Sequence, residues 1–133
     1  MARKILIIDG QGGSLGKEIT ARLKAECPAD EFTVIGTNSI ATQNMLKAKP
    51  DKAATGENPV VVNAAKADII VGPIGIVVAD SLCGEVTEKM ALAVAKSDAP
   101  KYLIPVNHCN NIVVGVPNLT MNALLDDLVA KIK

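Results

Sequence analysis

Short aliphatic runs alternate along the chain with stretches whose apolar residues recur every three or four positions. Ile5-Leu6-Ile7-Ile8 has no polar side to give to water and stops at Asp9-Gly10, which predicts a strand buried on both faces that meets a turn. Leu15, Ile19 and Leu23, with Arg22 and Lys24 between them, share one side of a helix that Pro28 closes. Residues 32–35 form a second strand, ended by Gly36. Thr37, Asn38 and Ser39 each suit the N-cap of a helix carrying Ile40, Met45 and Ala48, with Pro50 beyond it. Residues 52–54 read as a short third strand. Thr55-Gly56-Glu57-Asn58 then turns into a segment starting at Pro59, a favoured first helical residue. Val60-Val61-Val62 fits strand or helix, and the Asn58 cap and the Ala-Ala-Lys-Ala ending favour helix.

Further on, residues 68–71 predict a strand ending in Gly72-Pro73-Ile74-Gly75, and residues 76–86 a short helix followed by a loop around Gly84. Thr87 caps a helix running to about Lys96, and Thr120 a terminal helix bearing Leu124, Leu125 and Leu128. Residues 102–106 and 112–116 read as strands, and the link between them suits a hairpin, so the last is expected as an antiparallel edge strand.

Strands alternating with helices imply an α/β fold: a three-layer, doubly wound, mostly parallel sheet of about five parallel strands plus the antiparallel edge strand. The runs at Ile5, Ile69 and Leu103 are expected at its centre. In such sheets a ligand binds beyond the carboxyl ends of the strands, at the point where the strand order reverses. The turns carry a matching asymmetry. Those leading into strands are charged (residues 26–31, 49–52, 66–68 and 96–101), whereas those leaving strands are mostly glycine and neutral polar residues (10–14, 36–39, 55–58, 72–75 and 107–111).

Length and composition narrow the function classes. A chain of 133 residues is one domain, residues 1–133. Lys+Arg and Asp+Glu balance at 14 each, and Phe32 and Tyr102 are the sole aromatics, so neither a basic footprint nor a stacking series points to nucleic acid. Cys27, Cys83 and Cys109 lack paired spacing and read as free thiols of a reducing compartment. The run after Met1-Ala2-Arg3-Lys4 is too short for a signal segment, and no stretch has the length of a membrane span. These features lead us to expect a cytoplasmic protein. The apolar share of 49% and the surplus of Ile74-Gly75-Ile76-Val77-Val78-Ala79 lead us to expect a homo-oligomer, a dimer above all.

The chemistry concentrates in Asp9-Gly10-Gln11-Gly12-Gly13-Ser14-Leu15-Gly16, between a strand and a helix. A helix N-terminus leaves backbone N–H groups unpaired and partly positive, and glycine lets a bound oxyanion approach the backbone. Lys17 in the first turn opposes the helix dipole unless an anion lies there; equally, Glu18 offsets it and the glycines only pack helix on strand. Two phosphate motifs are nearly met. G-x-G-x-x-G begins at Gly10 and Gly12, but its third glycine falls on Leu15 and Gly16 comes one residue late. No acidic residue for a ribose ends the second strand, where Gly36-Thr37-Asn38 stand. G-x-x-x-x-G-K-[ST] is matched at Gly16-Lys17, but Gln11 replaces its first glycine and Glu18 its magnesium-binding hydroxyl. The expected ligand contacts are therefore Asp9, Gly10, Gln11, Gly12, Gly13, Ser14, Leu15, Thr37, Asn38, Ser39, Gly72, Pro73, Ile74 and Asn107.

Other candidates are thinner. His108 is the sole histidine; it is an acid–base or, with Cys83 or Cys109, a metal-ligand candidate, or else an ordinary loop residue. Metal ligands are too scattered for a structural site. Asp9 orients a sugar or metal, or shapes the turn. Asp80 and Glu85 flank the ambiguous stretch and read as solvent-facing.

Ile8-Asp9-Gly10-Gln11-Gly12-Gly13, Gly36-Thr37-Asn38-Ser39-Ile40-Ala41-Thr42, Ala54-Thr55-Gly56-Glu57-Asn58, Gly72-Pro73-Ile74-Gly75 and Ile104-Pro105-Val106-Asn107 together resemble a family of short bacterial proteins, common in anaerobic Firmicutes and catalogued as a domain of unknown function. The resemblance implies a Rossmann-like fold and supplies no catalytic residues. The expected function is binding of a nucleotide or dinucleotide such as NAD(P) through a phosphate at the glycine turn. The alternative is a non-catalytic module that senses a small anionic metabolite. A purely structural subunit leaves the polar edge unexplained. Any catalysis would rest on the bound cofactor, since no nucleophile–base set can be ordered.

Overall fold

The structure, a computed structural model, describes residues 2–106 and 110–133. In chain order it comprises β1 (Lys4–Asp9), α1 (Ser14–Glu26), β2 (Glu31–Gly36), α2 (Ser39–Leu46), β3 (Lys52–Thr55), α3 (Glu57–Ala64), β4 (Ile69–Pro73), a single 3₁₀ turn (Ile74–Val77), α4 (Glu88–Lys96), β5 (Lys101–Ile104) and α5 (Met121–Ile132). The strands form one sheet in the order β3-β2-β1-β4-β5, and every neighbouring pair is parallel. Among the described residues no helix is long and apolar enough to cross a membrane.

The period of two along β1 divides the core. Ile5 and Ile7 pack with Ile19 and Leu23 of α1, Met45 of α2 and Leu125 and Leu128 of α5. Leu6 and Ile8 face the opposite way, onto Val60 of α3 and Met90 and Val94 of α4. Each of these four β1 side chains is buried, which stabilises the fold by roughly 1.5–3 kcal/mol per residue. This is why an unbroken aliphatic run occupies the middle of the sheet. Helices thus cover both faces, as the alternation of elements predicts.

Three expectations need correction. Residues 112–116 form no antiparallel edge strand but run as loop and turn. Asn110 and Gly115 both have left-handed backbone (φ 68° and 84°), which breaks extended pairing on either side of a very short run. Ile112 and Val114 are almost wholly exposed, so no apolar face is there to drive pairing. The strand at Leu103 is not central. It is the outer strand β5, with Tyr102 and Leu103 only half-buried. The cap of α3 is Gly56, in a conformation with φ 106°, and Asn58 lies inside the helix. The apolar run from Ile74 is largely absorbed by the fold: Ile76 is buried in the second core cluster and Val77 packs against it.

The winding fixes where a ligand can sit. The chain builds outward from β1 through β2 to β3, then crosses to the other side of β1 to lay down β4. Beyond the carboxyl ends of β1 and β4 the following segments diverge to opposite faces, which leaves a crevice.

Candidate functional site

The glycine turn closes on itself through Asp9. Its carboxylate, at the end of β1, accepts from the backbone N–H of Gly10 at 2.8 Å and of Gly16 at 2.7 Å. Gly13 N–H donates back to the Gly10 carbonyl at 3.0 Å. Asp9 therefore shapes the turn, one of its two expected roles. Burial pushes the Asp9 carboxyl above its ordinary value; the two N–H donors oppose that shift, and the nearby Glu85 charge adds to it.

The four glycines of the turn serve different ends. A Cβ on Gly10 would stand 2.5 Å from Thr37 Oγ1, and one on Gly13 2.5 Å from the Ala41 carbonyl, at a backbone φ of +77°. On Gly16 it would run into the Met45 sulfur and Asp9. Packing against the neighbouring elements accounts for all three. Gly12 differs: beyond Gly12 itself and its two chain neighbours, no described atom lies within 4 Å of where its Cβ would be, and its φ is not left-handed. Nothing in the described fold requires glycine there.

Gly12 opens onto a cavity of about 730 Å³, the size of an ordinary small-molecule site. The turn from Asp9 to Leu15 forms one wall, and Pro73, Leu82, Val106 and Met121 supply apolar surface. Among the described residues no acceptor meets the N–H groups of Gly12, Ser14 and Leu15. A second helix start adds to the first. Thr120, capping α5 by accepting from Ala123 N–H at 3.2 Å, lies on the same cavity with Met121 and Asn122. Two helix N-termini thus contribute positive potential to one space. The described lining contains Asp9 and Glu18 but no Lys or Arg, and Lys17 is not part of it.

On the flank toward β2 the molecule's own hydrogen bonds tie the glycine turn to a neighbouring loop. Glu85 Oε1 accepts from Gln11 N–H at 2.8 Å, Thr37 Oγ1 at 2.7 Å and Asn38 Nδ2 at 2.7 Å. Asn38 Nδ2 also donates to the Gln11 carbonyl at 3.0 Å, while the Asn38 side-chain oxygen caps α2 at Ala41 N–H. Burial alone would raise the Glu85 carboxyl, but the donors from Thr37, Gln11 and Asn38 outweigh it and hold it below the ordinary carboxylate value. The loop that carries Glu85 has left-handed backbone at Asp80, Leu82 and Cys83, which is costly for residues with side chains. Buried Leu82 and Ser81 and the Asp80 N–H bond to the Val86 carbonyl hold it in place.

Of the expected contacts, Asp9 to Leu15 and Pro73 line the cavity. Thr37 and Asn38 lie at the same sheet edge but are engaged by Glu85, and Ser39 is an exposed first residue of α2. Gly72 is buried in β4, where a Cβ would meet the Ile8 carbonyl, and Ile74 opens the 3₁₀ turn. Asn107, with His108 and Cys109, lies outside the described residues. Sequence reading missed Glu85, Leu82 and the start of α5. The Thr120 cap was the sole signal for the last, and a lone glutamate in a loop gives none.

A family model matches the chain over residues 4–133. The chain belongs to the family described as a domain of unknown function, DUF3842. For this DUF3842 chain no curated protein gives a match.

Proposed function

We propose that the protein binds a small phosphorylated ligand, a nucleotide or a dinucleotide of the NAD(P) kind, with a phosphate against the N–H groups of Gly12, Ser14 and Leu15. The observation that carries this reading is Gly12, whose missing side chain no described packing explains and which borders the cavity. The two helix starts favour negative charge there, and the apolar wall from Pro73 to Met121 suits the uncharged body of a ligand. The absence of Lys and Arg from the described lining argues for one phosphate or a diester over a triphosphate, whose charge needs cations. On this reading the protein is a cytoplasmic binding protein, and any chemistry belongs to the ligand it holds.

A thermal-shift panel of inorganic phosphate, mononucleotides, sugar phosphates, NAD and NADP tests the proposal, because a ligand of the folded state raises the midpoint by mass action. At least one phosphorylated compound raises the midpoint of the parent. In Gly12→Val, whose stability stays close to the parent's, that response is lost. A shift that survives Gly12→Val unchanged refutes the placement.

A further inference from the structure

Resting on the phosphate reading above, we infer that Glu85 reads the vicinal hydroxyls of the ligand's ribose and selects ligands whose 2′-hydroxyl is free. In parallel nucleotide-binding sheets that task falls to a carboxylate at the end of the second strand. Here β2 ends in Gly36, followed by Thr37 and Asn38, and carries none at that end. Thr37 and Asn38 instead donate to a carboxylate brought in from the loop after β4. The Glu85 carboxylate therefore stands where β2 fails to supply one.

Its anchoring fits a reader of hydroxyls. All three hydrogen bonds fall on Oε1, and among the described residues no donor reaches Oε2. An ionised carboxylate accepts only, and the lone pairs of Oε2 are left for hydroxyl donors. Three fixed donors on the other oxygen hold the group in one orientation, so a ligand need not organise it. Gln11, whose N–H is held by Glu85, directly precedes Gly12, whose N–H has no acceptor among the described residues. Glu85 is not itself on the cavity's lining, but Gln11 and Gly12 are, so the acceptor and the proposed phosphate donors stand side by side along one turn of the cavity wall, as a ribose and its 5′-phosphate require. The partners of Glu85 are all neutral, so nothing in this network would offset the charge of a 2′-phosphate.

The contrary view makes Glu85 only a pin that ties the loop to the glycine turn. Calorimetric titration of the full chain with AMP, 2′-deoxy-AMP and adenosine 2′,5′-bisphosphate separates the two. The parent should bind AMP about tenfold more tightly than 2′-deoxy-AMP, the worth of a hydrogen bond to a charged group, and bind the bisphosphate most weakly. Glu85→Gln keeps an oxygen for the three anchoring donors. It should bring AMP and 2′-deoxy-AMP closer together and recover binding of the bisphosphate relative to AMP. Equal affinity of the parent for AMP and 2′-deoxy-AMP would overturn the inference and leave the phosphate reading standing. No binding of any of the three would overturn both.

Discussion

At the scale of single residues, the glycine turn combines packing and vacancy. Gly10, Gly13 and Gly16 admit the neighbouring elements, and Gly12 admits nothing that the described chain supplies. Gly13→Ala should destabilise the protein by about 1–3 kcal/mol, through both a left-handed backbone and contact with Ala41. Gly12→Ala should stay within about 0.5 kcal/mol of the parent. Urea denaturation of the two variants checks this contrast. Asp9→Asn leaves one of the two N–H groups of Gly10 and Gly16 facing an NH₂ and should cost about 1–3 kcal/mol in the same measurement. The turn was legible in the sequence because four glycines between an aliphatic run and a helical period have few other uses. The division of labour among them was not. It depends on Ala41, Thr37 and Met45, which are distant in sequence and arrive only through folding.

At the scale of elements, local rules served where a side chain acts on its own backbone. Thr87 and Thr120 cap the helices expected of them, each accepting from the N–H three residues on. Asn38 proved to be the cap among three adjacent candidates. Propensity misled where tertiary context decides. Ile112-Val113-Val114 has the composition of a strand, yet finds no face to bury and is bracketed by left-handed residues. Glu85 looked solvent-facing because its donors come from β1–α1 and β2–α2, not from its own loop. The α5 cap carries a prediction. Thr120→Ala should lower stability by about 1 kcal/mol. Because Thr120 also lines the cavity, it should weaken any anion held there as well, which calorimetry with the best ligand of the panel can read.

At the scale of the molecule, the sequence revealed the sheet's polarity through charged turns at one edge and glycine-rich turns at the other, and the cavity lies on the glycine-rich edge. It could not reveal that the body of the cavity extends toward β4 and α5, because α5 returns across the sheet only in three dimensions. Acid stability is a property of the whole chain, and its signs follow from three carboxyls. Hydrogen bonds from Arg3 hold Asp30 below its ordinary value, although its burial works the other way. Its stabilisation is therefore present above the unfolded value and lost as pH falls through the folded one; Glu85 behaves alike. Asp9 has the opposite sign: raised by burial, it favours the fold most below its unfolded value and loses that contribution as pH rises through the folded one. Asp30→Asn should thus be less stable than the parent near neutrality, and the gap should close as pH falls below about 4. Denaturation midpoints of both proteins across that range decide it.

The most direct test of the phosphate site is amide NMR of nitrogen-labelled protein titrated with AMP and, separately, with inorganic phosphate. Saturable shifts are expected of the Gly12, Ser14 and Leu15 amides, the N–H groups without an acceptor among the described residues. The amides of Gly10 and Gly16, already held by Asp9, should move less. If both titrations reach saturation elsewhere on the protein while Gly12, Ser14 and Leu15 stay still, or if neither compound moves any amide, the glycine turn is a packing device and holds no phosphate.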